Sequence, residues 1–219
     1  MSLWPSEHKL GLLISASYKG TPRVFDTLSA VLYINLAERT DRKARILENL
    51  SAAGIDDARV QRVDAVKHNL GAIGCAKSHI KALEHVLASG YDNTLILEDD
   101  FVWDVSPEVV NRVLSAVLFD KEWSVCLLAC NGACEILSDY KQRVIKCMTT
   151  SAYIIRKHYV PKLLGLWKDM LPSLEANALP TTGSKFAIDI TWQRLQAASL
   201  TDWVATNPYL GKHQLLRHR

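Results

Sequence analysis

A single α/β domain, built on a mostly parallel sheet with helices on both faces, is what this sequence predicts. Three observations lead there. Short apolar runs (30–36, 95–97 and 123–129), the first rich in β-branched and aromatic residues, alternate with longer segments whose apolar residues recur at helical spacing. The 219 residues, 48% hydrophobic and 22% charged, have the profile of a chain that buries one sizeable core. No internal repeat, low-complexity tract or linker divides them.

Residues 1–28 read as an N-terminal arm or extra strand ahead of a main domain spanning 29–219. Residues 10–15 have strand character, and Lys19, Gly20, Thr21 and Pro22 have turn chemistry. The arm is preferred to a signal peptide because Glu7 interrupts the basic region and the apolar stretch is short. The strand at 30–36 (AVLYINL) leads directly into a helix. There Thr40 is the N-cap, Asp41 lies in the first turn, Ile46, Leu47 and Leu50 form the stripe, and Gly54 is the stop. Residues 59–66 (RVQRVDAV) alternate as a second strand. Gly71 and Gly74 then give a tight backbone before a helix whose face is Ala76, Ile80, Leu83 and Leu87, closed by Gly90.

After the strand at 95–97, Ser106 caps a helix with Pro107 at its first position and Val110, Val113, Leu114 and Val117 as its stripe. Residues 123–129 form a fourth strand, and strand-like material recurs within 144–155. A helix covers 158–170, a loop 172–184 (PSLEANALPTTGS), and a helix 185–198 with Ile188, Trp192 and Leu195 on one face. A short strand at 203–205 precedes Asn207-Pro208.

Composition excludes several functions. The net charge of +3, with no basic block interleaved with aromatics, argues against a nucleic-acid partner. No apolar run approaches the roughly 18 residues that span a bilayer. The five cysteines, at 75, 126, 130, 134 and 147, include no CxxC pair. Cys126, Cys130 and Cys134 are four apart, but 123–129 reads as a strand, so Cys126 and Cys130 are expected as small core residues and Cys75 as packing. A reduced, cytoplasmic compartment follows. Peripheral contact with the inner membrane is open through Trp167, Trp203 and the basic end Arg217, His218 and Arg219. Composition says nothing of the oligomeric state.

The most informative stretch is Leu95, Ile96, Leu97, Glu98, Asp99, Asp100: a buried strand running into three carboxylates. Such acids need a cation, a basic partner or solvent. Alternation sends Glu98 and Asp100 one way and Asp99 the other. The acid-x-acid spacing suits one hard divalent cation held together with a diphosphate. The plainer reading is a strand end with a solvated acidic turn.

Three blocks carry a family resemblance: Tyr33-Ile34-Asn35-Leu36 with Arg39, Asp41 and Arg42; Gly71-Ala72-Ile73-Gly74-Cys75-Ala76-Lys77-Ser78-His79; and Ile96-Leu97-Glu98-Asp99-Asp100. In this order and spacing they resemble glycosyltransferase family 25, which includes bacterial lipooligosaccharide galactosyltransferases and collagen hydroxylysine galactosyltransferases. The resemblance covers about residues 29–155. It continues more loosely through Thr150-Ser151-Ala152-Tyr153, Ala187-Ile188-Asp189 and Pro208-Tyr209-Leu210 with Gln214, while residues 1–28 precede the family's opening strand.

The resemblance implies a GT-A-like fold, a UDP-sugar donor (commonly UDP-galactose), a glycan acceptor, Mn2+ or Mg2+, and inversion at the sugar carbon. It assigns Asn35, Arg39 and Arg42 to the uridine and diphosphate; the alternative for the arginines is surface pairing with Glu38 and Asp41. Asp100 is the first metal ligand. Glu98 follows, either on the metal through water or on the ribose, and Asp99 turns to structural partners. Ser78 and His79 lie near the donor, with a buried, satisfied histidine as the other reading of His79. Asp189 is the general base, or else an acid that only favours a helix N-terminus. His213 completes the metal shell.

The expected function is a metal-dependent inverting transferase moving a hexose, galactose first, to a glycan hydroxyl in lipopolysaccharide or other surface-glycan synthesis. Its rivals are a catalytically degenerate GT-A-fold binding or scaffold module and a Mg-dependent phosphohydrolase or nucleotidyltransferase. The latter lacks a phosphate-cradling glycine loop with lysine.

Overall fold

The computed structural model describes residues 24–55, 57–177 and 185–213. The expected strand at 10–15, the turn at 19–22, Gln214 and the basic end lie outside them. Strands are β1 (Ala30–Asn35), β2 (Val60–Asp64), β3 (Asn93–Glu98), β4 (Phe101–Trp103), β5 (Val125–Leu127), β6 (Gly132–Ile136), β7 (Lys141–Cys147), β8 (Ala152–Arg156), β9 (Trp203–Thr206) and β10 (Gly211–His213). Helices are α1 (Thr40–Ala52), α2 (Gly71–Ser89), α3 (Pro107–Phe119), α4 (Val160–Asn177) and the short α5 (Ile188–Thr191) and α6 (Gln193–Ala197).

Eight strands form one sheet in the order β2-β1-β3-β8-β5-β9-β7-β6, and β4 pairs with β10 in a small second sheet. Strands β2, β1, β3, β5, β9 and β6 run one way, with β8 and β7 reversed between them. The α/β class and mostly parallel sheet are therefore as expected.

Alternation along the strands divides the core into two layers. Ala30, Leu32 and Ile34 of β1, Ile96 of β3 and Tyr153 of β8 face the layer of α2 and α4, with Leu83, Leu163 and Trp167. Val31, Tyr33, Leu95, Leu97 and Ile154 face the layer of α1 and α3, with Ile46, Leu50, Val110 and Leu114. Phe25 and Leu28, from within the expected N-terminal arm, are buried in this second layer. Trp192 lies at the centre of an aromatic cluster, with ring centroids 5.2 Å from Trp203, 5.9 Å from Tyr153 and 6.2 Å from Trp167. Trp167 and Trp203 are thus 1% and 0% exposed, which removes them as membrane-contact residues. Among the described residues, no helix is long and apolar enough to cross a membrane.

Several boundaries differ from expectation. Arg39 occupies the N-cap position of α1 and Thr40 is its first residue. Gly71 and Gly74 lie inside the first turn of α2 rather than before it. At Gly74 a Cβ would come 2.8 Å from the Val66 carbonyl, so glycine lets the helix pack against the segment after β2. Leu87 sits at the rim of its helix, 36% exposed. Helix α4 runs through Pro172 to Asn177. Leu174 is buried, and Glu175 pairs with Lys77 of α2 at 2.7 Å, so tertiary contacts carry the helix past a residue that lacks an N–H. The helix expected over 185–198 is split at Trp192 into α5 and α6. The β6–β7 hairpin and the paired strands β4 and β10 fall outside the elements that the sequence predicts.

Candidate active site

Glu98 is the last residue of β3, in register with Ile34 of β1. It shares its face with Ile96 and so turns toward α2. Its Oε1 accepts a hydrogen bond from Thr150 Oγ1 at 2.7 Å and lies 3.3 Å from His79 Nε2. His79 is itself buried, with Nδ1 3.1 Å from the Tyr153 hydroxyl and its ring stacked on Tyr153. Burial alone would raise the Glu98 pKa. The hydrogen bonds from His79 and Thr150 and the charges of His79 and His213 outweigh it, and the carboxyl sits below its ordinary value.

The chain turns between β3 and β4, and the next two acids meet at Arg42. Asp99 accepts from Asn35 Nδ2 at 2.7 Å and from Arg42 Nη1 at 2.9 Å. Asp100 Oδ2 accepts from the same Arg42 Nη1 at 3.1 Å and lies 3.1 Å from His213 Nε2. Asn35 is delivered by the end of β1 and Arg42 by the first turn of α1. His213 arrives on β10, opposite Phe101 of β4. The hydrogen bond with Asp100 raises the His213 pKa against the opposing effect of partial burial. One ligand atom each from Glu98, Asp100 and His213 can be chosen so that all lie within 4.8 Å of one another. Three buried polar atoms in this corner have no partner among the described residues: Asp100 Oδ1, Asn35 Oδ1 and Arg42 Nε. Such atoms are costly to leave unpaired unless a ligand satisfies them.

His213 depends on Gly211, which lies opposite Trp103. A Cβ there would overlap the Phe101 ring and the Val102 carbonyl. Gly211→Ala is therefore expected to destabilise the chain by about 1–3 kcal/mol and to displace β10. A thermal melt, with and without Mn2+, measures both; an unchanged melt would show that β10 does not pack this way.

The other expected site residues are placed as follows. Arg39 forks onto Asp41 through Nε at 2.9 Å and Nη2 at 2.8 Å, the exposed pairing that was its alternative reading. Ser78 donates to the Gly74 carbonyl at 2.6 Å and accepts from the Val66 N–H at 2.8 Å, so its hydroxyl pins the segment after β2 to α2. His79 lies behind Glu98. Asp189 stands in the first turn of α5, where burial raises its pKa and the charge of Glu98 adds to the rise. Asp104, outside the acid run, pairs with Lys212 at 2.6 Å on the surface.

Thr150 and Tyr153 also belong to this corner, through Glu98 and His79, although residue type alone gives neither a role. A polar Thr-Thr-Ser run between two strands was the available signal.

No protein-family model matches the chain, and no curated protein matches it in sequence. Solved structures do. A glycosyltransferase involved in the glycosylation of the major capsid of PBCV-1 aligns over 86% of this chain and 93% of its own, at 13% identity and a TM-score of 0.53. A197 from STIV aligns over 85% and 86%, at 12% identity and 0.48. The mannosyltransferase PcManGT from Pyrobaculum calidifontis, in complex with GDP-Man and Mn2+, aligns over 96% and 64%, at 9% identity and 0.46. The last two scores are below 0.5, so the shared GT-A-like fold rests on the first.

Proposed function

We propose that this chain is a metal-dependent inverting glycosyltransferase of the family 25 type. It moves a hexose, galactose first, from a UDP-sugar to a glycan hydroxyl in lipopolysaccharide or other surface-glycan synthesis. One observation carries the reading: Glu98, Asp100 and His213 converge at the end of β3, beside a corner holding the unsatisfied Asn35 Oδ1 and Arg42 Nε. Two carboxylates and an imidazole form a hard-to-borderline donor set, and the unpartnered Asp100 Oδ1 is free to ligate, so these residues fit Mn2+ or Mg2+. When bound there, the cation supplies Lewis-acid neutralisation of a departing diphosphate.

The remaining work falls to the chain's own side chains. Thr150 and His79 hold Glu98 Oε1 and leave Oε2 for the site. Asp99, through Arg42 and Asn35, fixes the corner where the nucleotide binds. Asp189, its pKa raised by burial, takes the proton of the acceptor hydroxyl.

The test is a donor screen with a panel of acceptor glycans, read by product mass, beside thermal melts with UDP, Mn2+ and both. A product from UDP-galactose and a melt shift that needs UDP and grows with Mn2+ are expected. UDP binding without transfer to any acceptor would favour the non-catalytic binding module. No shift with millimolar UDP and Mn2+ would end the transferase reading.

A further inference from the structure

We propose that Cys75, His79 and Glu98 form a second cation site, selective for thiophilic divalent ions such as Zn2+. Ligand atoms of the three residues can be chosen within 4.8 Å of one another. Cys75 and His79 are four apart in α2 and therefore share a helix face, which Glu98 meets from the end of β3. The set of sulfur, nitrogen and oxygen is one that Zn2+ takes with tetrahedral geometry, and three protein ligands leave a fourth position open.

A second shell is already built. His79 Nδ1 lies 3.1 Å from the Tyr153 hydroxyl, which can accept its proton once a cation displaces the Nε2 proton that faces Glu98 at 3.3 Å. Thr150 holds the same Glu98 oxygen at 2.7 Å. Cys75 as a residue is only partly covered. Binding forms a sulfur–zinc bond and releases the thiol proton to solvent, with no change of oxidation state.

Glu98 also belongs to the Glu98–Asp100–His213 group, so Zn2+ bound at Cys75 competes with Mn2+ for it. This competition, unlike the site itself, rests on the function proposed above. The arrangement makes Zn2+ an inhibitor whose action depends on Cys75.

The site is tested with Co2+, titrated into the full chain under reducing conditions. A sulfur-to-cobalt charge-transfer band in the near ultraviolet is expected, abolished by Zn2+. It should be lost in Cys75→Ser and kept in Asp100→Asn and in the double variant Cys130→Ser, Cys134→Ser. That double variant removes the two thiols whose sulfurs lie 3.7 Å apart elsewhere. Absence of a band in the wild type, or a band that survives Cys75→Ser, overturns the site. Mn2+ binding, read by electron paramagnetic resonance, is followed in parallel. A cobalt band without any Mn2+ binding would leave this site standing and remove the metal dependence proposed for transfer. Where Mn2+ does bind, Zn2+ is expected to raise its apparent Kd at least tenfold in the wild type; an unchanged Kd overturns the sharing of Glu98.

Discussion

Asp100→Asn is expected to lower transfer by about 10²- to 10³-fold at saturating Mn2+, the scale on which a transition state loses one preorganised electrostatic partner. The apo protein should hardly notice. Asp99 and Asp100 both pair with Arg42, Glu98 adds a third carboxylate beside Asp100, and His213 stands at the rim. Asparagine keeps the shape and removes one repelling charge, while Arg42 retains Asp99 at 2.9 Å. The apo melt is therefore expected to stay level or rise slightly, as it does where a binding site is held together at the expense of stability. The difference appears on adding metal. At a hundredfold excess over Kd a ligand adds about 2.7 kcal/mol, which for a chain of this size is a rise of roughly 5–10 °C. The wild type should show that rise with Mn2+ and Asp100→Asn should not. An equal rise in both would remove Asp100 from the metal site.

The acid strand was legible because its pattern is local. Leu95, Ile96 and Leu97 are buried on both faces of a sheet, and a short apolar run ending in carboxylates reads as a strand that stops at a sheet edge. Alternation holds only as far as Glu98, where the strand ends; Asp99 and Asp100 share Arg42 Nη1, and Asp99 alone accepts from Asn35. What the sequence did not disclose depends on pairing across the fold. Strand β10 has three residues and exists through its ladder with β4. Strand β6 carries Ile136 at 68% exposure, and the facing β7 carries Ile145 at 55%, so neither shows a clean buried-and-exposed alternation. The stripe of Ile188, Trp192 and Leu195 did mark helical material. Its break at Trp192 accompanies an indole Nε1–H that donates to the Cys147 carbonyl at 2.8 Å, a contact 45 residues away.

His79 shows the same limit at the level of function. A histidine four residues after Cys75 in a helix can face a ligand or the core, and residue type does not decide. The structure buries it against Tyr153 and Trp167 with one nitrogen toward Glu98, an arrangement that needs β3, β8 and α2 in place. Arg39 and Arg42 are likewise equivalent in sequence. Their separation, one on the surface with Asp41 and one on the acid turn, accompanies their different places, Arg39 at the N-cap and Arg42 in the first turn of α1.

Asp189→Asn is expected to lower kcat by about 10²- to 10⁴-fold, the usual worth of a positioned general base, with donor KM little changed. The pH dependence distinguishes this role from that of an acid favouring a helix N-terminus. Burial, then the charge of Glu98, raises the Asp189 pKa above its ordinary value. Between about 3.9, where an unfolded aspartate titrates, and that raised value, the folded state binds the extra proton. The stability Asp189 contributes is therefore fully present below the unfolded value and lost as pH rises through the folded one. Asparagine has no such loss, so Asp189→Asn should melt higher than the wild type at pH 7, with the gap closing below about pH 4. Activity moves the opposite way. In the wild type kcat/KM should fall as pH drops through the raised Asp189 pKa, whereas Glu98, held below its ordinary value, stays ionised there. The variant's residual rate should lack that acid limb. A variant that melts higher yet loses transfer and the limb identifies Asp189 as the base. Undiminished transfer would return Asp189 to the helix and send the search for the base elsewhere on this face of the sheet.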